Sequence, residues 1–265
     1  MINYITRKTL LNKSKVEWTD YNCNHYVGCV HNCRYPCYAQ KISRKNQLDW
    51  VRVAVVKNAL ELAVQEIRHI PSGSRIMVSS MSDPYQPIEA ICQLTRSLIP
   101  VLAGFKAKPV IPPCRPQDCF GYAQVVIITK SDLVRRDFDL IRQFPNVSLC
   151  MTITSLEDLP EMEPFTSGNK ARIECLQDAK SIGIRTIASI EPWMPDACNL
   201  LELAHRLIPF VDEFFIGSWN HHFKRDSISA LAVKAQYRTR LPAVLDLLRH
   251  HMKRVTIKEE LFHQL

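Results

Sequence analysis

Five short runs of continuous apolar residues, alternating with stretches of helical spacing, constrain this chain most strongly. They are RIMVSS (75–80), VVIITK (125–130), VSLCMTIT (147–154), RTIASIE (185–191) and DEFFIGS (212–218). An apolar run without polar alternation suits a strand buried on both faces, as in a parallel sheet covered by helices. Segments 50–69, 90–102, 133–143, 169–182 and 199–208 read as those helices, and Val51, Val55, Leu60 and Val64 lay an apolar stripe along the first. Ser167, Gly168 and Asn169 before the fourth helix and Gly183 after it are matching punctuation. Adding a strand at 25–28 gives six strand–helix units. That predicts an α/β fold, a doubly wound sheet or a barrel, and suits a partial (β/α)6 barrel.

With 265 residues and 46% hydrophobic content, the chain can bury one full-sized core without disulfide staples. The expected organisation is a barrel domain over 1–220 and a basic C-terminal extension over 221–265 packed on the same domain. A Pro-rich stretch at about 104–123, holding Cys114 and Cys119, interrupts the rhythm and reads as an excursion from the barrel. No run approaches the roughly 18 apolar residues of a membrane span, and residues 1–15 contain no apolar signal core. The expectation is a soluble, cytoplasmic protein with no membrane partner. A net charge of +8 and a pI near 9.0 are compatible with a nucleic acid or another anionic partner. The basic stretches HHFKR (221–225) and RHHMKR (249–254) are either phosphate contacts or solvated helical faces.

Four of the ten cysteines, Cys23, Cys29, Cys33 and Cys37, crowd into one segment. In a chain of this size such crowding points to metal or redox chemistry rather than to a disulfide scaffold. Within HYVGCVHNCRYPCYAQK (25–41), the spacing C-x3-C-x3-C lets three thiolates surround one compact centre. Three thiolates suit a [4Fe–4S] cluster that leaves one iron open. A structural zinc needs a fourth ligand, which Cys23, His25 or His31 would supply, and would make the chain a nucleic-acid-binding module. On spacing alone both readings stand.

The segment resembles the cluster loop of the radical S-adenosylmethionine (radical SAM) superfamily, whose usual form is C-x3-C-x2-C with an aromatic before the last cysteine. G-C-x-H-x-C-x-Y-x-C-Y-A resembles, more narrowly, the spore photoproduct lyase-like branch and related phage-associated proteins. SSMSDPYQPIE (79–89), TKSDLVRRDFDLI (129–141) and TITSLED (152–158) resemble further blocks of that branch, in the same order, so the resemblance covers most of 16–220. One departure is Pro36, which lengthens the last spacing to x3 and restricts the backbone before Cys37.

The resemblance implies a cluster on Cys29, Cys33 and Cys37 whose open iron chelates the methionine end of S-adenosylmethionine. One-electron reduction, from a donor such as flavodoxin or ferredoxin, then releases a 5′-deoxyadenosyl radical. Tyr35 is the aromatic beside the adenine, and Ser80, Ser82 and Asp83 follow the strand whose motif contacts the methionine ammonium, with Asp83 the acid to pair with it. Lys130 and Ser155 are placed for the cofactor carboxylate or ribose. Glu191 and Asn220 close later strands as pocket residues, and Thr152 and Thr154 share one parity on theirs. Cys150 and Cys198 are either hydrogen donors to a product radical or buried structural thiols. Cys114 and Cys119 are too few to ligate a second cluster alone. The expected activity is of lyase or transferase type on a nucleic acid or nucleotide-like substrate, with a peptide or small metabolite as the alternative.

Overall fold

The computed structural model describes residues 2–35, 37–104, 122–219, 228–258 and 261. Five short strands come first: β1 (Asn3–Ile5), β2 (Leu11–Lys13), β3 (Tyr21–Cys23), β4 (Tyr26–Val27) and β5 (Ala54–Val56). The five apolar runs follow as β6 (Arg75–Val78), β7 (Gln124–Thr129), β8 (Val147–Thr152), β9 (Arg185–Trp193) and β10 (Glu213–Ser218), and β11 (Arg254–Ile257) ends the series. Eight strands make one sheet in the order β11-β10-β9-β8-β7-β6-β3-β2. Every neighbouring pair is parallel except β2 with β3. The remaining three form a small sheet, β1-β5-β4.

The helices are α1 (Tyr38–Ser43), α2 (Gln47–Val51), α3 (Ala59–Glu66), α4 (Glu89–Cys92), α5 (Leu94–Leu102), α6 (Phe138–Ile141), α7 (Asn169–Ser181), α8 (Leu200–Leu207) and α9 (Ile228–His250). Alternation along each strand divides its side chains between two layers. Ile76, Ile127, Leu149, Ala188 and Phe214 meet Leu98, Leu176 and Leu203 of the helices in the main core. Met77, Val126, Cys150, Ile187 and Phe215 point the other way and form a second cluster around Trp18. Both faces are therefore buried, which is why the runs carry no polar alternation.

The sheet curls into the expected partial barrel. Trp18, just before β3, stacks on Phe215 of β10 with centroids 4.3 Å apart. Arg75 at the start of β6 reaches Glu213 of β10 at 3.5 Å. Strands distant in the sheet order touch across its interior only if the sheet is strongly curved.

The boundaries differ from expectation at four places. The first barrel strand is β3 and not 25–28, because the chain leaves the sheet at Asn24, whose side chain bonds Ser80 and Met81. The single helix expected over 50–69 is α2, β5, α3 and a 3-10 turn at Ile67–His69. Its β-branched run pairs with β1 and β4 instead, and Leu60 and Val64 face solvent while Ala59, Leu62 and Ala63 face the core. The helix over 90–102 breaks at Gln93, which has a left-handed φ of 48°. The stretch 133–143 begins as a 3-10 helix (Asp132–Asp137) before α6. The tail supplies α9 and β11, so it adds a parallel strand to the main sheet. Pro36, Asn220, 221–225 and the excursion with Cys114 and Cys119 lie outside the described residues.

Candidate active site

The cysteine loop leaves β4 at Gly28, whose φ of +92° favours glycine. A Cβ there would collide with the Trp50 carbonyl oxygen. Cys29 N–H donates to that same carbonyl at 3.0 Å. Fully buried Gln86 then grips the loop on both sides of Cys29, donating to the Gly28 carbonyl at 3.3 Å and accepting from Val30 N–H at 3.1 Å. Ser82 donates to the Gly28 carbonyl at 2.5 Å. Cys37 ends the loop and caps α1 in an extended conformation. The SDPYQ segment thus acts as a clamp on the cysteine loop.

Below the loop lies a cavity of about 380 Å³, bounded by Cys29, Cys33 and Cys37 and by strand-end residues including Ser79, Thr129, Thr152, Ser189 and Ser218. These are the C-terminal ends of the parallel strands, where α/β sheets bind ligands. Burial pushes the Cys29 and Cys33 thiols up, and each is raised further by its neighbouring cysteines. Grouped thiols of this kind become thiolates when a metal centre supplies the compensating charge. Among the described residues, no three His, Cys, Asp or Glu side chains stand close enough to hold a single ion. The three thiols border a space rather than a point. Cys23 packs in the main core, away from that space. Three thiols on one cavity match the donor set of a cluster with one open iron, and a four-thiolate zinc would lack its fourth thiol there.

Two polar networks flank the loop. Asp83 accepts three hydrogen bonds, from Tyr85 N–H (2.8 Å), Thr129 Oγ1 (2.7 Å) and Lys130 N–H (2.8 Å), and His31 Nε2 stands 3.2 Å from its Oδ2. His31 Nδ1 faces the Phe165 carbonyl at 2.7 Å, which only accepts, so Nδ1 carries a proton. The second network centres on buried Glu163, which meets Lys130 Nζ at 2.5 Å, the Tyr35 hydroxyl at 2.8 Å and Thr154 Oγ1 at 3.1 Å. The Arg172 guanidinium completes it.

No protein-family model matches the chain. It is 30% identical to uncharacterized protein MJ0683 of Methanocaldococcus jannaschii over 84% of its own length and 79% of that protein's. It is 28% identical to uncharacterized protein ORF301 of Acidianus two-tailed virus over 65% of its length and 55% of that protein's. Solved structures of spore photoproduct lyase superpose at TM-scores of 0.59 for a point mutant and 0.58 for a mutant with bound AdoMet and dinucleoside spore photoproduct, at 21% and 20% identity. They align with 90% and 89% of the chain respectively, and the chain spans 66% of their length. The chain belongs to the family of MJ0683 and has the spore photoproduct lyase-like radical SAM fold.

In that fold, Tyr35, Ser80, Ser82, Asp83, Lys130 and Glu191 all border the cavity together with the three cysteines. Ser155 does not; its hydroxyl donates to the Ala197 carbonyl at 3.0 Å. Thr152 lines the cavity, whereas Thr154 turns to Glu163. Cys150 sits in the inner layer beneath, and burial pushes its thiol well up. Cys198 packs in the main core. Glu191 pairs with Lys258, and a Cβ at Gly217 would press on Glu191 Cγ at 2.9 Å, so glycine there leaves room for the pair. Sequence reasoning missed Glu163, Arg172 and Lys258, which no local motif marks, and gave no role to Gln86 within the block 79–89. Glu163 and Arg172 are nine residues apart on either side of an irregular loop, and only the fold brings them to Lys130.

Proposed function

We propose that this protein is a radical SAM enzyme in which Cys29, Cys33 and Cys37 hold a [4Fe–4S] cluster and the cavity beneath takes S-adenosylmethionine. The observation that carries this reading is the set of three cysteines bordering one cavity at the C-terminal ends of parallel strands. When bound, the cluster supplies the electron that cleaves the cofactor to a 5′-deoxyadenosyl radical. Gln86 and Ser82 hold the loop at Gly28, and Asp83 ties that clamp to β7 and to His31. Tyr35, Ser80, Lys130 and Glu191 present polar atoms to the cofactor. Trp18, Trp50 and Met77 give the cavity apolar walls that exclude water from a reactive intermediate.

For the substrate we propose a nucleic acid or nucleotide, acted on by lyase or transferase chemistry, with the electron delivered by a flavodoxin or ferredoxin. Net charge of +8 supports an anionic partner, as does the dinucleoside bound by the similar lyase. No helix among the described residues is long and apolar enough to cross a membrane.

The test is anaerobic reconstitution with iron and sulfide, then dithionite and S-adenosylmethionine, with 5′-deoxyadenosine read by mass spectrometry. The expected result is product from the wild type and none from Cys33→Ala. A colourless protein holding one zinc would overturn the proposal.

A further inference from the structure

One of the two networks beside the cysteine loop carries an excess of cations. At Cys29 the neighbours are Asp83 and His31, 3.2 Å apart. On the other side Lys130 meets Glu163 Oε1 and Arg172 pairs with Glu163 Oε2: two cations against one carboxylate. Arg172 is 1% exposed, and its Nη1 donates to the Thr152 carbonyl at 2.6 Å, so it cannot swing away. Burial opposes the charge on Glu163, but Lys130 and Arg172 outweigh it and hold its carboxyl well below the usual carboxylate range. The group cannot relax by protonation and keeps one uncompensated positive charge.

Tyr35 joins this charge to the loop. Its hydroxyl donates to Glu163 Oε1 at 2.8 Å and accepts from Lys130 Nζ, and the residue stands in the loop two positions after Cys33. The Lys130 ammonium also stands 4.9 Å from the centre of the Tyr35 ring. Hydrogen bonds to cluster sulfurs and nearby charge are main determinants of cluster potential. A buried charge is felt far more strongly than a solvated one.

We propose that Lys130, Glu163 and Arg172, acting through Tyr35, are positioning residues that raise the reduction potential of the cluster at its Cys33 corner. Their net positive charge favours the state carrying the extra electron. The inference rests on the cluster reading above and adds a role for Glu163 and Arg172 that no motif assigns.

The experiment is an EPR-monitored redox titration of the reconstituted protein without S-adenosylmethionine, so that cofactor contacts cannot move the readout. Lys130→Met removes the charge from a partly exposed side chain, and Lys130→Arg keeps it. The expected result for Lys130→Met is a reduced-to-oxidised ratio about tenfold smaller at a fixed poise, about 59 mV for one electron. Lys130→Arg should stay near wild type, and Glu163→Gln should shift the potential upward. A wild-type potential in Lys130→Met overturns the proposal, and so do equal shifts in Lys130→Met and Lys130→Arg. A colourless wild-type protein overturns the cluster reading itself and this inference with it.

Discussion

Trp18 stacks on Phe215 with ring centroids 4.3 Å apart and planes inclined by 26°. One residue belongs to the connection between β2 and β3, the other to β10, near opposite ends of the sheet order. The contact therefore helps hold the sheet curved, with Met77, Val126, Cys150 and Ile187 packed beside it. Trp18→Ala should destabilise the protein by about 3–5 kcal/mol, and Trp18→Phe by much less. Urea denaturation followed by circular dichroism checks this. Equal midpoints for Trp18→Ala and wild type would mean that the barrel keeps its curvature without the stack.

Gly28 and Gly183 both have positive φ, +92° and +85°, but only Gly28 has a neighbour where a Cβ would go. Alanine at either position pays the left-handed backbone penalty, about 1–2 kcal/mol. At Gly28 it must also displace the Trp50 carbonyl that receives Cys29 N–H. Gly28→Ala should lose most of its reconstituted iron, whereas Gly183→Ala should keep it and only melt lower. Iron and sulfide assays on both variants decide the matter, and equal iron contents would show that the loop does not depend on this turn.

Cys23 distinguishes the two metal readings directly. It is buried in β3, in register with Val78, and packs in the main core. Cys23→Ala should retain wild-type iron and sulfide per chain and lose about 1 kcal/mol of stability. Elemental analysis of the variant is the check. Loss of bound metal would restore Cys23 as a ligand and favour zinc.

The barrel was legible because its strands are buried on both faces. RIMVSS, VVIITK and DEFFIGS have the unbroken apolar centres IMV, VVII and FFI, as suits strands covered on both faces. The loop cysteines were legible because a compact centre needs close spacing. What escaped were contacts made by residues far apart in sequence. Glu163 meets Lys130 across 33 positions, and Gln86 reaches Gly28 across 58. The segment 50–69 misled for a local reason: Ala54, Val55 and Val56 fit either a helical stripe or a buried strand, and pairing with β1 and β4 decided for the strand.

The blocks SSMSDPYQPIE and TKSDLVRRDFDLI meet in a third buried network behind the cysteine loop. Glu89 accepts from Tyr26 hydroxyl at 2.5 Å and from Arg136 Nη2 at 3.0 Å. Asp137 accepts from Arg136 Nε at 2.8 Å and from Tyr85 hydroxyl at 3.0 Å. Both carboxylates are fully buried; Arg136 reaches both, and Arg96 Nη1 adds a second cation at Asp137, at 3.0 Å. Arg136→Met should cost about 3–5 kcal/mol, because it leaves buried Glu89 without its cationic partner while Asp137 keeps Arg96. Combining it with Glu89→Gln removes that buried charge, and the double variant should recover about 1–3 kcal/mol relative to the sum of the singles. Tyr26 begins β4, two residues before Gly28, so Arg136→Met should also lower reconstituted iron. Denaturation of the single and double variants measures the coupling. Strict additivity would mean that Arg136 and Glu89 stabilise the barrel independently and that the network does not brace the loop.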